Sequence, residues 1–173
     1  MKLAAKHGDT ISMCSARDLN RRDLEQGNYV FVGGPTSNPW VSLFADKLNF
    51  QVVEDGVGGK MYFRNRKPLP GEQATYQGLE HTGSAGEDYA TISLLPSSSG
   101  EGNVLVLQGP RQEGTEALGV FLADAADRTG LMQALGIRNG SQPSTYFEAL
   151  IQTQAVAGAP LSVHVVATRI IRP

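Results

Sequence analysis

Two stretches of the chain combine an apolar run with a Gly-Pro corner and small polar residues. The first is YVFVGGPTSNPW, residues 29–40, and the second is VLVLQGPRQEGTEALG, residues 104–119. In each, the corner leads into a helical pattern, and backbone N–H groups at the start of a helix attract anions. Arg111 in the second corner has the fork of donors that pairs with a phosphate or a carboxylate. This combination predicts a binding site for a small anionic ligand.

The two corners form one site only if the apolar runs are neighbouring parallel strands. Their shared order of strand, corner, loop and helix indicates this arrangement, and ligands of open α/β sheets bind beyond the carboxyl ends of such strands. The predicted ligand-binding residues are Gly33, Gly34, Thr36, Ser37, Asn38, Gly109, Arg111, Gln112 and Thr115. A purely structural interpretation stays open, because Gly-Pro turns end many strands for steric reasons and Asn38-Pro39 is a good helix start.

Cofactor and metal chemistry find no support in the motifs. Neither corner carries the dinucleotide pattern G-x-G-x-x-G or the Gly-Lys-Ser/Thr of a phosphate loop, so no cofactor is predicted. The histidines His7, His81 and His164 are far apart, and no pair of His or Cys residues has metal-site spacing, so no metal ligand is predicted. Cys14 lies in the apolar run TISMCSA and is predicted to be a small core residue of a strand.

No catalytic residue is predicted either. Ser37 lacks the G-x-S-x-G turn that exposes a nucleophile, which favours a non-enzymatic domain. The alternative that stays open is an enzyme acting on a phosphorylated or acyl substrate in the same cleft. That alternative requires Ser37, Asn38, Arg111 and Glu113 to lie within hydrogen-bond reach of one another.

The bulk composition indicates one globular domain with no general attraction to polyanions. The 173 residues are 40% hydrophobic and 18% charged, and the net charge of −2 does not favour binding to nucleic acid or to an anionic membrane. The single cysteine excludes an internal disulfide, and no apolar run approaches the length of a membrane span. The domain is therefore predicted to be cytoplasmic and without membrane contact. The start MKLAAKHG is typical of a helix end closed by Gly8, which predicts a fragment of a longer protein.

Hydrophobic periodicity and turn residues divide the chain into strands and helices. Strands are predicted at 10–16, 29–33, 50–55, 60–66, 88–96, 103–110, 145–156 and 161–171, and helices at 39–48, 114–125 and 128–136. A short helix or turn is predicted at 16–27, and a long loop with at most one irregular strand over 67–88. The pattern is that of an α/β three-layer sandwich with a mixed, mainly parallel central sheet and a C-terminal antiparallel hairpin. The strands at 29–33 and 103–108 are predicted to be parallel and central.

Several longer phrases carry a resemblance to a known family. SARDLNRRDLEQGNYVFVGGPTSNPW, FRNRKPLPGE, DYATISLLP, NVLVLQGPRQEGTEALGVFLAD and YFEALIQTQAVAGAPLSVHVVATR resemble an acidobacterial-type domain that follows a helix-turn-helix or membrane-regulator segment. The resemblance implies a sensory or interaction domain of a DNA-binding, transcription-regulatory protein, with DNA contact only through a segment outside these residues. It supplies no catalytic residues. A third hypothesis is a structural domain that forms homo-oligomers, and it predicts an exposed strand edge or apolar patch.

Overall fold

The computed structural model describes residues 11–25, 27–78, 85–137, 145–156 and 159–172. The strands of this part of the chain are β1 (Tyr29–Val32), β2 (Phe50–Glu54), β3 (Met61–Asn65), β4 (Thr75–Tyr76), β5 (Ala85–Pro96), β6 (Asn103–Gln108), β7 (Tyr146–Val156) and β8 (Ala159–Ile171). The α-helices are α1 (Gln112–Ala123) and α2 (Ala125–Ala134), and 3-10 helices span Arg21–Leu24 and Pro39–Lys47. The strands form a five-stranded sheet in the order β1-β6-β5-β7-β8 and a three-stranded sheet in the order β2-β3-β4.

The five-stranded sheet is mixed, as predicted, and it ends in the predicted antiparallel hairpin of β7 and β8. The predicted parallel pair is also confirmed, since β1 runs parallel to β6. The expectation of a mainly parallel sheet is wrong, because β5 pairs antiparallel with both β6 and β7. Short connections between β5 and β6 and between β7 and β8 favour antiparallel neighbours, whereas the long connection from β1 to β6 allows a parallel pair. The connection from β5 to β7 is also long, and that pair is nonetheless antiparallel. The strand β1 is an edge strand and not central as predicted.

Apolar side chains cover both faces of this sheet and produce three layers. On one face, α1 and α2 bury Leu118, Phe121 and Leu131 against residues of β5, β6 and β7. The other face is covered by the 3-10 helices and the three-stranded sheet. Its buried residues include Phe31, Val41, Phe44, Val106, Phe50, Phe63 and Leu150. The predicted α/β three-layer arrangement is thus confirmed, with strands and 3-10 helices together forming one of the outer layers.

A buried carboxylate attaches the three-stranded sheet to the five-stranded one. Glu148 lies on β7 with none of its surface exposed. Its Oε2 accepts a hydrogen bond of 2.7 Å from the backbone N–H of Asn49, and its Oε1 accepts one of 3.0 Å from the N–H of Phe50. These two donors stand at the entrance to β2. One acidic side chain therefore fixes the position where the second sheet begins.

The segment 11–16 differs from its predicted strand. It has no regular secondary structure, and Ile11 and Met13 are exposed. Cys14 is exposed as well, so its predicted role as a core residue is wrong. Apolar residues in a short run form a strand only where a neighbouring strand offers free backbone groups, and the edge of the sheet at β1 is not paired with this segment.

The helix that follows the first Gly-Pro corner is a 3-10 helix over Pro39–Lys47. Its buried residues Val41 and Phe44 are three positions apart, and a helix with three residues per turn places them on one face. The predicted hairpin is confirmed, with β2 paired antiparallel to β3. The predicted loop over 67–88 contains the short strand β4, and β5 begins three residues earlier than expected, at Ala85. The helix end at Gly8, His7 and His81 lie outside the described residues.

Candidate functional site

The two Gly-Pro corners meet at one edge of the five-stranded sheet, as the sequence predicts. The backbone N–H of Gly33 donates to the carbonyl of Leu107 at 2.9 Å, which continues the pairing of β1 with β6 to the end of both strands. Gly33 has a φ of 99°, a left-handed conformation that favours glycine. A Cβ atom added to Gly34 would lie 3.4 Å from the carbonyl oxygen of Gly109. The corners therefore touch across the strand ends.

A cleft of about 420 Å³ opens between these corners; we call it the corner cleft. The residues that line it are Gly33, Gly34, Thr36, Ser37, Met61, Gly109, Pro110, Arg111, Gln112 and Thr115. Every predicted ligand-binding residue except Asn38 is among them. Met61 was not predicted, because it belongs to β3, and no local pattern indicates that the three-stranded sheet borders this edge. The structure brings these residues together around one cleft, and their binding of a ligand stays a prediction.

Asn38 serves the backbone of its own corner. Its side-chain oxygen accepts a hydrogen bond of 3.2 Å from the N–H of Trp40, as a helix cap does, and its side-chain nitrogen donates to the carbonyl of Val32 at 3.5 Å. Ser37 likewise donates from its hydroxyl to the carbonyl of Gly34 at 3.1 Å. Glu113 lies in the first turn of α1 and is not part of the lining. Of the four residues that an enzyme in this cleft requires, Ser37 and Arg111 line it.

The first turn of α1 is capped by a residue from another element. Arg111 stands at the cap position without a side-chain hydrogen bond to the helix. Instead Asp88 on β5, buried to 3% exposure, accepts a hydrogen bond of 3.1 Å from the N–H of Gly114 through Oδ2. Its Oδ1 accepts one of 2.9 Å from the N–H of Tyr89. The N–H groups at the start of the helix thus already have an acceptor, which the protein itself provides.

Arg111, which lines the corner cleft, interacts with Asp88, which does not. The Nε atom of Arg111 lies 3.9 Å from Oδ1 of Asp88, and the arginine side chain is 32% exposed. Burial raises the pKa of Asp88, while the N–H groups of Tyr89 and Gly114 and the charge of Arg111 act in the opposite direction. The guanidinium group is therefore held at the cleft by a loose ion pair and keeps contact with solvent.

Sequence analysis did not predict the role of Asp88, although its position in the strand pattern indicates that it is buried. It occupies the same face of β5 as Ala90 and Ile92, which belong to the core beneath α1. An acidic residue that alternates in step with core residues is buried only when donors satisfy it. Here the donors are backbone N–H groups of α1 and β5, and these can be assigned only once the helix is placed over the strand.

Replacement of Gly114 with alanine is expected to lower the free energy of unfolding by about 2 kcal/mol. The added Cβ would lie 2.7 Å from the carbonyl oxygen of Tyr89 and 2.9 Å from Oδ2 of Asp88, so α1 would have to move away from β5. Urea denaturation followed by circular dichroism measures the change. The matched control is Gly119→Ala in the same helix, where a Cβ meets nothing within 4 Å. That variant is expected to be slightly more stable than the wild type, because alanine favours a helix. Equal losses in both variants would contradict the contact with Asp88.

Comparison of the chain with family models, with curated proteins and with solved structures gives no match. In the described part of the chain, no three His, Cys, Asp or Glu side chains lie together as a metal site requires. Every helix within the described ranges is too short or too polar to cross a membrane.

Proposed function

We propose that the chain is a non-enzymatic sensory or interaction domain that binds a small anionic ligand in the corner cleft. The observation that supports the proposal is the convergence of two Gly-Pro corners around Arg111. This arginine is the only charged residue among the described residues that line the cleft. An anion placed there gains a cation without meeting a carboxylate in the lining.

Hydrogen bonds within the corners determine how the ligand is recognised. The hydroxyl of Thr115 donates to the carbonyl of Arg111 at 3.2 Å, and one N–H of the Gln112 side chain donates to Glu116 at 2.7 Å. The hydroxyl groups of Ser37 and Thr115 already donate to backbone carbonyls. The guanidinium group of Arg111 therefore supplies most of the hydrogen-bond donors in the cleft that remain available to a ligand. Its planar fork suits a carboxylate or a phosphate better than a neutral polar group.

The biological setting is part of the same proposal and is supported by the family resemblance alone. The domain acts within a cytoplasmic regulatory protein, and the ligand state of the corner cleft is passed to a DNA-binding segment outside these 173 residues. The net charge of −2 agrees with a domain that does not contact DNA itself.

The test is a thermal-shift screen of the 173-residue chain with inorganic phosphate, citrate, AMP and glucose. We expect at least one of the anions to raise the melting temperature and glucose to have no effect. We expect Arg111→Leu to weaken binding of that anion at least tenfold, since charge-assisted hydrogen bonds contribute about 1.5–3 kcal/mol. Arg21→Leu, an exposed change on the first 3-10 helix, serves as the control and should bind as the wild type does.

Two results would refute the proposed function. One is the absence of stabilisation by all three anions. The other is that every anion which stabilises the wild type binds Arg111→Leu equally tightly, since the corner cleft would then hold none of them.

A further inference from the structure

A second cleft of about 420 Å³ lies at the other end of the five-stranded sheet. It is formed by the end of the Pro39–Lys47 helix, the loop after β3 and the last residues of β8, and it shares no lining residue with the corner cleft. The strand β8 is antiparallel to β7, β7 to β5, and β5 to β6. The carboxyl ends of β6 and β8 therefore point to opposite ends of the sheet. We call this second cleft the basic cleft.

Four cations line the basic cleft, and they come from separate parts of the chain. They are Lys47, Lys67, Arg169 and Arg172, and Glu148 is the one carboxylate in the lining among the described residues. The acceptor oxygens of Glu148 are occupied by the N–H groups of Asn49 and Phe50. The local charge is thus positive in a protein whose net charge is −2.

Arg169 already interacts with other residues of the chain. Its guanidinium group donates to both carboxylate oxygens of Glu72 and to the carbonyl of Lys67, the latter at 3.2 Å. It also lies over the ring of Phe50, 5.2 Å from the ring centre. The side chains of Lys47, Lys67 and Arg172 have no ion pair in the described part of the chain, and all three residues are exposed. Three cations are therefore free to meet a ligand.

The wall that carries Lys67 is held rigid by side-chain hydrogen bonds. Asn49 accepts a bond of 2.9 Å from the N–H of Lys67 and donates one of 2.7 Å to the side chain of Asn65. Asn65 in turn donates to Glu72 at 2.9 Å, which closes the chain of contacts at Arg169. A site whose backbone is already ordered loses less conformational entropy when a ligand binds.

Apolar surface borders the three free cations. Leu69 is 52% exposed and Ile170 is 51% exposed, and both line the basic cleft. The exposed apolar side chains and the cations together fit a ligand that has a charged group at one end and an apolar body at the other.

We propose that the basic cleft binds an organic phosphate. Three free cations match a phosphate dianion better than a monoanionic carboxylate, because one unit of charge would leave more of their mutual repulsion uncompensated. The phosphate lies between Lys47, Lys67 and Arg172, and the apolar body covers Leu69 and Ile170. This site is separate from the anion site of the corner cleft, and its occupancy does not depend on Arg111.

The test uses phenyl phosphate as the probe and NMR spectra of the 15N-labelled chain. We expect the amide signals of Asn49, Lys67 and Ile170 to shift in a saturable way, whether or not those of Gly34 and Gly109 at the corner cleft also move. Isothermal titration is expected to show at least tenfold weaker binding to this site in Lys67→Glu, because the substitution replaces an attractive charge by a repulsive one. Arg17→Glu makes the same charge change on an exposed residue outside both clefts, and its affinity should stay within twofold of the wild type.

Three outcomes would overturn the proposal. The first is unshifted signals at Asn49, Lys67 and Ile170. The second is a Lys67→Glu affinity equal to that of Arg17→Glu. The third is equal affinity for phenyl phosphate, inorganic phosphate and benzoate, since neither the apolar body nor the second charge would then contribute. An effect of Arg111→Leu on the corner cleft alone would leave this site in place, so the two proposals fail separately.

Discussion

The Glu148→Ala variant is expected to lose about 4 kcal/mol of the free energy of unfolding. The substitution removes both acceptors of the N–H groups of Asn49 and Phe50, and Phe50 is fully buried. Each buried donor left without a partner costs about 1–3 kcal/mol, and the missing side chain leaves a cavity as well. Because this contact joins the two sheets, we expect the three-stranded sheet to lose protection first.

Urea denaturation at pH 5 measures this loss, and hydrogen exchange locates it. At pH 5 Glu148 is mostly protonated in the folded wild type, because its pKa is raised to about 7. The alanine variant therefore gains no stability from the removal of a buried charge, and the measured loss reflects the missing hydrogen bonds and side chain. Glu101→Ala is the control, because Glu101 is an exposed residue of the turn between β5 and β6. It should change the free energy of unfolding by less than about 0.5 kcal/mol. A Glu148→Ala protein as stable as this control would show that the carboxylate does not hold the second sheet.

The second large effect is a fall in stability as the pH rises through the range of about 4.5 to 7. Burial raises the pKa of Glu148 from 4.5 to about 7, and the N–H groups of Asn49 and Phe50 and the charges of Arg169 and Arg66 oppose that rise. The folded state therefore binds this proton more tightly than the unfolded state does. The resulting stabilisation is complete below pH 4.5 and is lost as the pH rises through 7, by about 3 kcal/mol in total.

The measurement is a series of urea denaturations between pH 4 and pH 8 on the wild type and on Glu148→Gln. Glutamine has no proton to lose, so the variant is expected to show a flatter dependence, although it loses one hydrogen bond at every pH. Asp88 also has a raised pKa and preserves part of the slope in both proteins. Parallel curves for the wild type and the variant would contradict the buried ionisation of Glu148.

Glu72 acts in the opposite direction at lower pH. Its hydrogen bond with Arg169 is the main reason that its pKa is lowered from 4.5 to about 2. The stabilisation from this carboxylate is present above pH 4.5 and is lost as the pH falls through 2. For Glu148 and Glu72 together, the most stable range is therefore centred close to pH 4.5.

The sequence predicts the parts of the fold that depend on local pattern. The apolar run of β6, its Gly-Pro end and the amphipathic α1 are readable because each has its own period and its own terminating residues. The repetition of that pattern at β1 correctly predicts the parallel pair and the meeting of the corners at Gly34 and Gly109.

The remaining features depend on contacts between distant segments. The strand β1 is at the edge because β7 pairs with β5 and not with the open side of β1. No residue of β1 indicates this choice. The same holds for Met61 in the corner cleft. Glu148 carries a partial signal, because it alternates in step with the core residue Leu150, but its donors on Asn49 and Phe50 belong to another sheet.

The parallel pairing of β1 with β6 also determines the order of events during synthesis on the ribosome. After β1 is made, residues 33–102 must be added before its partner begins at Asn103. At about 5–20 residues per second this takes on the order of several seconds. Throughout that interval the nascent YVFV segment has no strand beside it, which gives a holdase chaperone time to capture it. We therefore expect slower translation between the two corners to lower the fraction of chains that reach the native state.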